Sequence, residues 1–144
     1  MNNKIIPLMF FGLLLVFFLY VGYLLFYPVT VTAVDNKDNV QVLNKILYPG
    51  DDVIVNFSYC KYEDISPKFT RMFVDTIYYE TIVIGAIFPK GCATTEYHVV
   101  KIPDSLPAGT YYLLTNAEYK INPIRTIRTT WRTEQFEVKN KIGG

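Results

Sequence analysis

Residues Ile5 to Tyr27 form an unbroken run without a charge, IIPLMFFGLLLVFFLYVGYLLFY. At about 1.5 Å per helical residue, the run is long enough to cross a hydrocarbon core of roughly 30 Å. Lipid offers no partners to backbone N–H and C=O groups, so such a segment must close its hydrogen bonds internally, as a helix does. Pro7 falls in the first turn, where its missing N–H costs little. Gly12 and Gly22 weaken a helix in water but are tolerated in lipid. Tyr20, Tyr23 and Tyr27 gather toward one end, as aromatic residues do at a membrane interface. A buried core helix is the competing structure, and the length of the run disfavours it.

The flanks set an orientation. Lys4 and the α-amino group precede the run, and the first charge after it is Asp35. Positive charge is retained on the cytoplasmic side, which leaves the C-terminal part outside. The expected organisation is a short cytoplasmic N-terminus at 1–4, a transmembrane signal anchor at 5–27 and an extracytoplasmic domain at 28–144. A cleaved signal peptide is the alternative, because Val31-Thr32-Ala33 offers small residues for cleavage after Ala33. The run exceeds the usual signal-peptide core of about 7–15 residues and its positive leader is thin, which favours retention of the anchor.

Beyond residue 28 the pattern changes to short alternating runs. Candidate strands are 29–34, 40–47, 53–60, 70–75, 77–84, 96–102, 110–119 and 125–138, the last broken by a bulge. Turn-forming segments separate them, among them Tyr48-Pro49-Gly50-Asp51-Asp52, Pro89-Lys90-Gly91, Pro107-Ala108-Gly109 and Asn122-Pro123. This spacing predicts an all-β antiparallel sandwich. Val53, Val55, Phe57 and Tyr59 share one face of their strand, and Tyr111, Leu113, Ala117 and Tyr119 one face of theirs. A domain of about 115 residues can bury a sufficient core this way.

Fourteen Lys and Arg against 13 Asp and Glu leave a net charge of +1. That balance excludes nucleic-acid binding by bulk electrostatics. Cys60 and Cys92 are the only cysteines. An even count in an extracytoplasmic domain predicts one disulfide, expected here between loops at one end of the sandwich. No CxxC motif or adjacent base marks them as reactive thiols. Two Cys and the single His98 do not make a closed zinc site without a distant carboxylate. His98 alternates with Val100 and Ile102, so it is expected at the margin of an inward face, hydrogen-bonded. No nucleophile turn of the GxSxG kind is present. Asp51-Asp52 and Glu63-Asp64 lack the dense oxygen-ligand spacing of a calcium loop, and Asp51-Asp52 reads as a turn cap. No catalytic residue, cofactor or metal is expected.

The clearest surface signal is Lys120, Arg125, Arg128 and Arg132, with no acid between them in sequence. Lys120 and Arg125 flank the Asn122-Pro123 turn of a hairpin. Arg128 and Arg132 share parity with Thr126 and Thr130, opposite Ile127 and Trp131. These four residues are the candidate partner-binding site, for an acidic protein or lipid phosphates. A solvated face carrying edge-protecting charges is the plainer reading.

Two segments resemble immunoglobulin-like and fibronectin type III-like domains. Ser105-Leu106-Pro107-Ala108-Gly109-Thr110-Tyr111 is similar to their turn-and-tyrosine segment, and Pro49-Gly50-Asp51-Asp52-Val53 to the turn that opens an early strand. The resemblance implies an immunoglobulin-like sandwich in which the Tyr111 hydroxyl bonds back to nearby backbone. The chain departs from antibody domains: Trp131 follows both cysteines, and Cys60 is out of phase with the apolar face of its strand. As a whole, the chain resembles small bacteriophage and prophage proteins with one N-terminal anchor and an immunoglobulin-like domain. The segments carrying that likeness are Tyr59-Cys60-Lys61-Tyr62, Pro89-Lys90-Gly91-Cys92, Leu106 to Tyr111 and Tyr119 to Arg125. It implies a single-pass protein of the bacterial inner (cytoplasmic) membrane with a periplasmic domain. The expected role is a non-enzymatic protein-interaction module that modulates the host envelope or excludes competing phages. A structural subunit of an envelope or virion assembly, with homo-oligomerisation, is the alternative.

Overall fold

The structure is a computed structural model and describes residues 5–75, 78–81 and 88–140. Lys4, on which the expected orientation rests, lies outside the described residues, as do parts of the candidate strand 77–84. The apolar run is one helix, α1, over Ile5–Phe26. Its segment Met9–Phe26 has a mean hydropathy of 2.4, and none of it is buried by the other described residues. That is the opposite of a core helix, whose apolar face would be covered by protein.

Among the described residues ten strands follow: β1 Thr32–Val34, β2 Gln41–Val42, β3 Ile46–Leu47, β4 Asp52–Lys61, β5 Lys68–Val74, β6 Tyr78–Thr81, β7 Gly91–Lys101, β8 Gly109–Asn122, β9 Arg125–Arg132 and β10 Phe136–Val138. They form two sheets. In the first, β4 is central, with β7 on one edge and β1 and β2 on the other. In the second, the long β8 is central. It pairs with β5 on one side and with β9 and β10 on the other; β6 extends β5, and β3 runs parallel to β10.

The candidate strand 40–47 divides between the sheets, and Asn44 explains the break. Val42 pairs with Val55, and the Leu43 amide still donates to the Ile54 carbonyl. At the next position the Asn44 side chain replaces the backbone. Its Oδ1 accepts from the Ile54 amide at 3.0 Å, and its Nδ2 donates to the Asp52 carbonyl at 2.7 Å. The main chain is thereby released to cross to β10 without leaving β4 unpaired. Candidate strand 125–138 breaks as expected. Between the pairs Leu114↔Arg132 and Tyr111↔Phe136, the β9–β10 side carries one more residue than β8. Thr133 fills the bulge, its Oγ1 accepting from the Leu113 amide at 2.9 Å.

The inner faces of the two sheets share one core. Val53, Val55, Phe57 and Tyr59 from β4 and Tyr111, Leu113, Ala117 and Tyr119 from β8 are all buried, in the phase their alternation requires. Trp131 of β9 packs across the interface against Phe57 of β4, centroids 5.4 Å apart, and meets Phe69 of β5 edge-on at 6.1 Å. Phe88 closes this cluster against Tyr59.

Two expectations need correction. Cys60 and Cys92 stand directly opposite each other in the β4–β7 ladder, not in loops, with sulfurs at disulfide distance, 2.05 Å. The pair lies on the outer face of the first sheet, out of phase with the core, as the parity of Cys60 requires. His98 is exposed instead of sitting at an inward margin. The ladder runs Val53↔Val100 and then Ile54↔His98, so Val99 is an extra residue on β7. This bulge turns Val99 inward and His98 out.

Candidate interaction face

The outer face of the second sheet is built by cross-strand register. Lys68 of β5, Glu118 of β8 and Arg128 of β9 form one row; Thr70, Asn116 and Thr130 form the next. Directly opposed residues share a face, so the rows lie side by side. Arg128 Nε is 2.6 Å from Glu118 Oε1, and Thr130 Oγ1 donates to Asn116 Oδ1 at 2.7 Å. Lys120 and Thr126 form the flanking pair, both exposed. The phase expected for β9 holds: Thr126, Arg128, Thr130 and Arg132 face outward, and Trp131 is buried.

The four basic residues do not form one patch. Arg125 and Arg132 lie at opposite ends of β9, separated by about 23 Å at the usual strand rise. Arg132 Nε donates to the Asp38 carbonyl at 2.8 Å and fastens the turn between β1 and β2. The Arg125 guanidinium donates to the Tyr27 carbonyl just past the end of α1. Arg128 is matched by Glu118, its cross-strand neighbour in the β8–β9 hairpin. Lys120 makes no ion pair among the described residues. The positive charge that remains on the central face comes from Lys68, Lys120 and Arg128 around one carboxylate. Lys68 escaped the sequence reading because its place beside Glu118 depends on non-local pairing; its outward parity opposite Phe69 and Phe73 was the available signal.

Sequence reasoning also missed Arg71. It lies on the inward face of β5 between Phe69 and Phe73 and is 2% exposed. Its guanidinium donates to the Val99 carbonyl and lies over the rings of Phe69 and Tyr97, 5.2 and 5.7 Å from their centroids. Burial pushes its pKa down, and Tyr97 opposes that shift. The parity of Arg71 with its two Phe neighbours was legible, although a cation in that position is uncommon.

The other candidate groups play local roles. Asp51 Oδ2 accepts from the Tyr48 amide at 2.8 Å and caps the turn through Gly50, whose φ of 92° suits glycine. Asp52 lies 3.3 Å from His98 Nδ1, and Asp64 lies 3.5 Å from Lys61 Nζ. Among the described residues, no group of three or more His, Cys, Asp and Glu side chains converges as a metal site would require. A shallow depression of about 560 Å³ lies over the disulfide on the opposite sheet, lined by Asp35, Ser58, Cys60, Cys92 and Thr94 among others. No protein-family model matches the chain, and no curated protein matches it.

Proposed function

We propose that the chain is a single-pass bacterial membrane protein whose immunoglobulin-like domain stands on the periplasmic side and binds an acidic protein partner of the envelope. The reading is non-enzymatic, and a phage origin would make the partner a host protein or a component of an infecting particle. The anchor is supported by an apolar helix that no other described part of the chain covers. The immunoglobulin-like assignment draws on two sheets around a common core, the parallel β3–β10 pair and the Tyr111–Pro107 hydrogen bond.

The observation that carries the binding site is the Lys68–Glu118–Arg128 row with Lys120 and the threonines beside it. Long cationic side chains on a rigid sheet attract acidic partners and lose that attraction as salt rises. A photoactivatable crosslinker at Thr126 or Thr130 in expressing cells tests it. Adducts with an acidic envelope protein, lost in Lys120→Gln/Arg128→Gln, are expected; adducts unaffected by those changes would contradict this site.

A second reading, a structural subunit, draws on β7. Among the described residues this 11-residue strand pairs on one side only, with β4. An unpaired strand edge is a template for adding another strand. Self-adducts in the same experiment would favour it.

A further inference from the structure

We infer that the β8–β9 hairpin tip, residues 121–125, sits in the phospholipid interface of the leaflet through which α1 leaves the membrane, with Ile124 in the acyl–headgroup boundary and Arg125 at the level of the lipid phosphates. The inference rests on the anchor reading and adds a lipid-binding surface to it.

Depth is what the geometry supplies. If α1 spans the bilayer, its last turn lies at the far interface, because 22 residues at about 1.5 Å each only slightly exceed a hydrocarbon core of roughly 30 Å. The last carbonyls of a helix have no partner within it. Here the hairpin provides one: Asn122 Nδ2 donates to the Leu24 carbonyl at 3.0 Å. Arg125 donates to the Tyr27 carbonyl beside it, a cation where the helix dipole is negative. Asn122 is therefore held at the depth of Leu24, inside the final turn. The connector from Tyr27 to Val31 reaches at most about 17 Å when extended, so the hairpin cannot drift far from the surface.

The side chains at the tip suit that depth. Ile124 is 53% exposed at the turn, where it meets no core. Tyr23 and Tyr27 pack together on the neighbouring helix end, centroids 5.0 Å apart, as an aromatic belt would. Arg125 is held at this level by its bond to Tyr27, and cations near a headgroup layer gain from anionic phosphates. Pro123 and Ile124 are apolar and exposed at the turn, while the hydrogen bonds of Asn122 and Arg125 fix its position. The tip therefore serves as a second, shallow membrane contact that sets the tilt of the domain.

The test uses the full chain in nanodiscs of phosphatidylcholine and phosphatidylglycerol. An environment-sensitive fluorophore is placed on one added cysteine at a time: Leu15→Cys in the helix, Ile124→Cys at the tip, and Ser105→Cys in the exposed turn before β8. Nitroxide lipids report depth. The expected result is deep quenching at 15, quenching only by shallow nitroxides with a blue-shifted emission at 124, and none at 105. A Leu15 label unaffected by any nitroxide lipid would overturn the anchor and the inference together. A quenched Leu15 label with an Ile124 label that behaves like the one at Ser105 would overturn the inference alone.

Discussion

The Tyr111 hydroxyl donates a 2.9 Å hydrogen bond to the carbonyl of Pro107, four residues earlier in the chain. The ring lies over Gly109, where an added Cβ would come within 3.2 Å of it. The turn Pro107-Ala108-Gly109 is thus folded onto the strand it opens, and Phe73 and Tyr79 flank the ring edge-on.

Tyr111→Phe keeps the ring and removes the bond. It is expected to lower stability by about 1 kcal/mol, the usual net worth of one such hydrogen bond. Gly109→Ala should also destabilise, because the buried ring must move. Urea unfolding of both variants checks this; unchanged midpoints would show that the turn holds without the tyrosine.

Alkaline pH should act through the same residue. Burial first, then Tyr79 and Asp75, push the Tyr111 hydroxyl pKa upward; burial raises that of Tyr119, and Thr32 partly opposes it. A raised folded-state value means that folding favours the protonated phenol. That contribution is complete below the ordinary tyrosine value near 10 and is lost as pH rises through the higher folded value. Unfolding midpoints should fall above about pH 10, less steeply in Tyr111→Phe/Tyr119→Phe.

The disulfide spans 32 positions of sequence. Constraint of the unfolded chain at that length is worth about 3–4 kcal/mol. The net stability of a folded domain is about 5–15 kcal/mol, which exceeds that contribution. Cys60→Ser/Cys92→Ser should therefore remain folded at 25 °C with a markedly lower melting temperature. Thiol labelling of the native protein without reduction should find neither cysteine.

Alternation made the inner faces of β4, β8 and β9 legible, because period two leaves one choice once the apolar set is identified. What stayed hidden depends on partners distant in sequence. The Asn44 crossover is set by the backbone of β4, and the early start of β7 by pairing of Gly91 to Thr95 with the far end of that strand. The bulge at Val99 reversed the expected phase of His98. The basic residues lie close together in sequence, whereas the sheet spreads the three arginines over three roles: Arg125 on the helix end, Arg132 on a turn and Arg128 against Glu118.

Arg71 offers a test of how the core tolerates charge. Desolvating a guanidinium costs several kcal/mol, and one carbonyl with two rings returns part of that. Its Nε has no hydrogen-bond partner among the described residues. Arg71→Met, which keeps the length of the stem, is expected to stabilise the domain by about 1–3 kcal/mol. Denaturant midpoints decide it; a large loss would mean that the guanidinium bond to Val99 organises β7.

The most direct measurement is the location and size of a fusion carrying alkaline phosphatase after Gly144 in a bacterial host. The account predicts active enzyme, which requires an extracytoplasmic position, in the membrane fraction at the full fusion mass. Activity in the soluble periplasmic fraction, at a mass shortened by residues 1–33, would show a cleaved signal sequence. Inactive enzyme in the membrane fraction would reverse the orientation. Either result would contradict a periplasmic domain held at the membrane by α1.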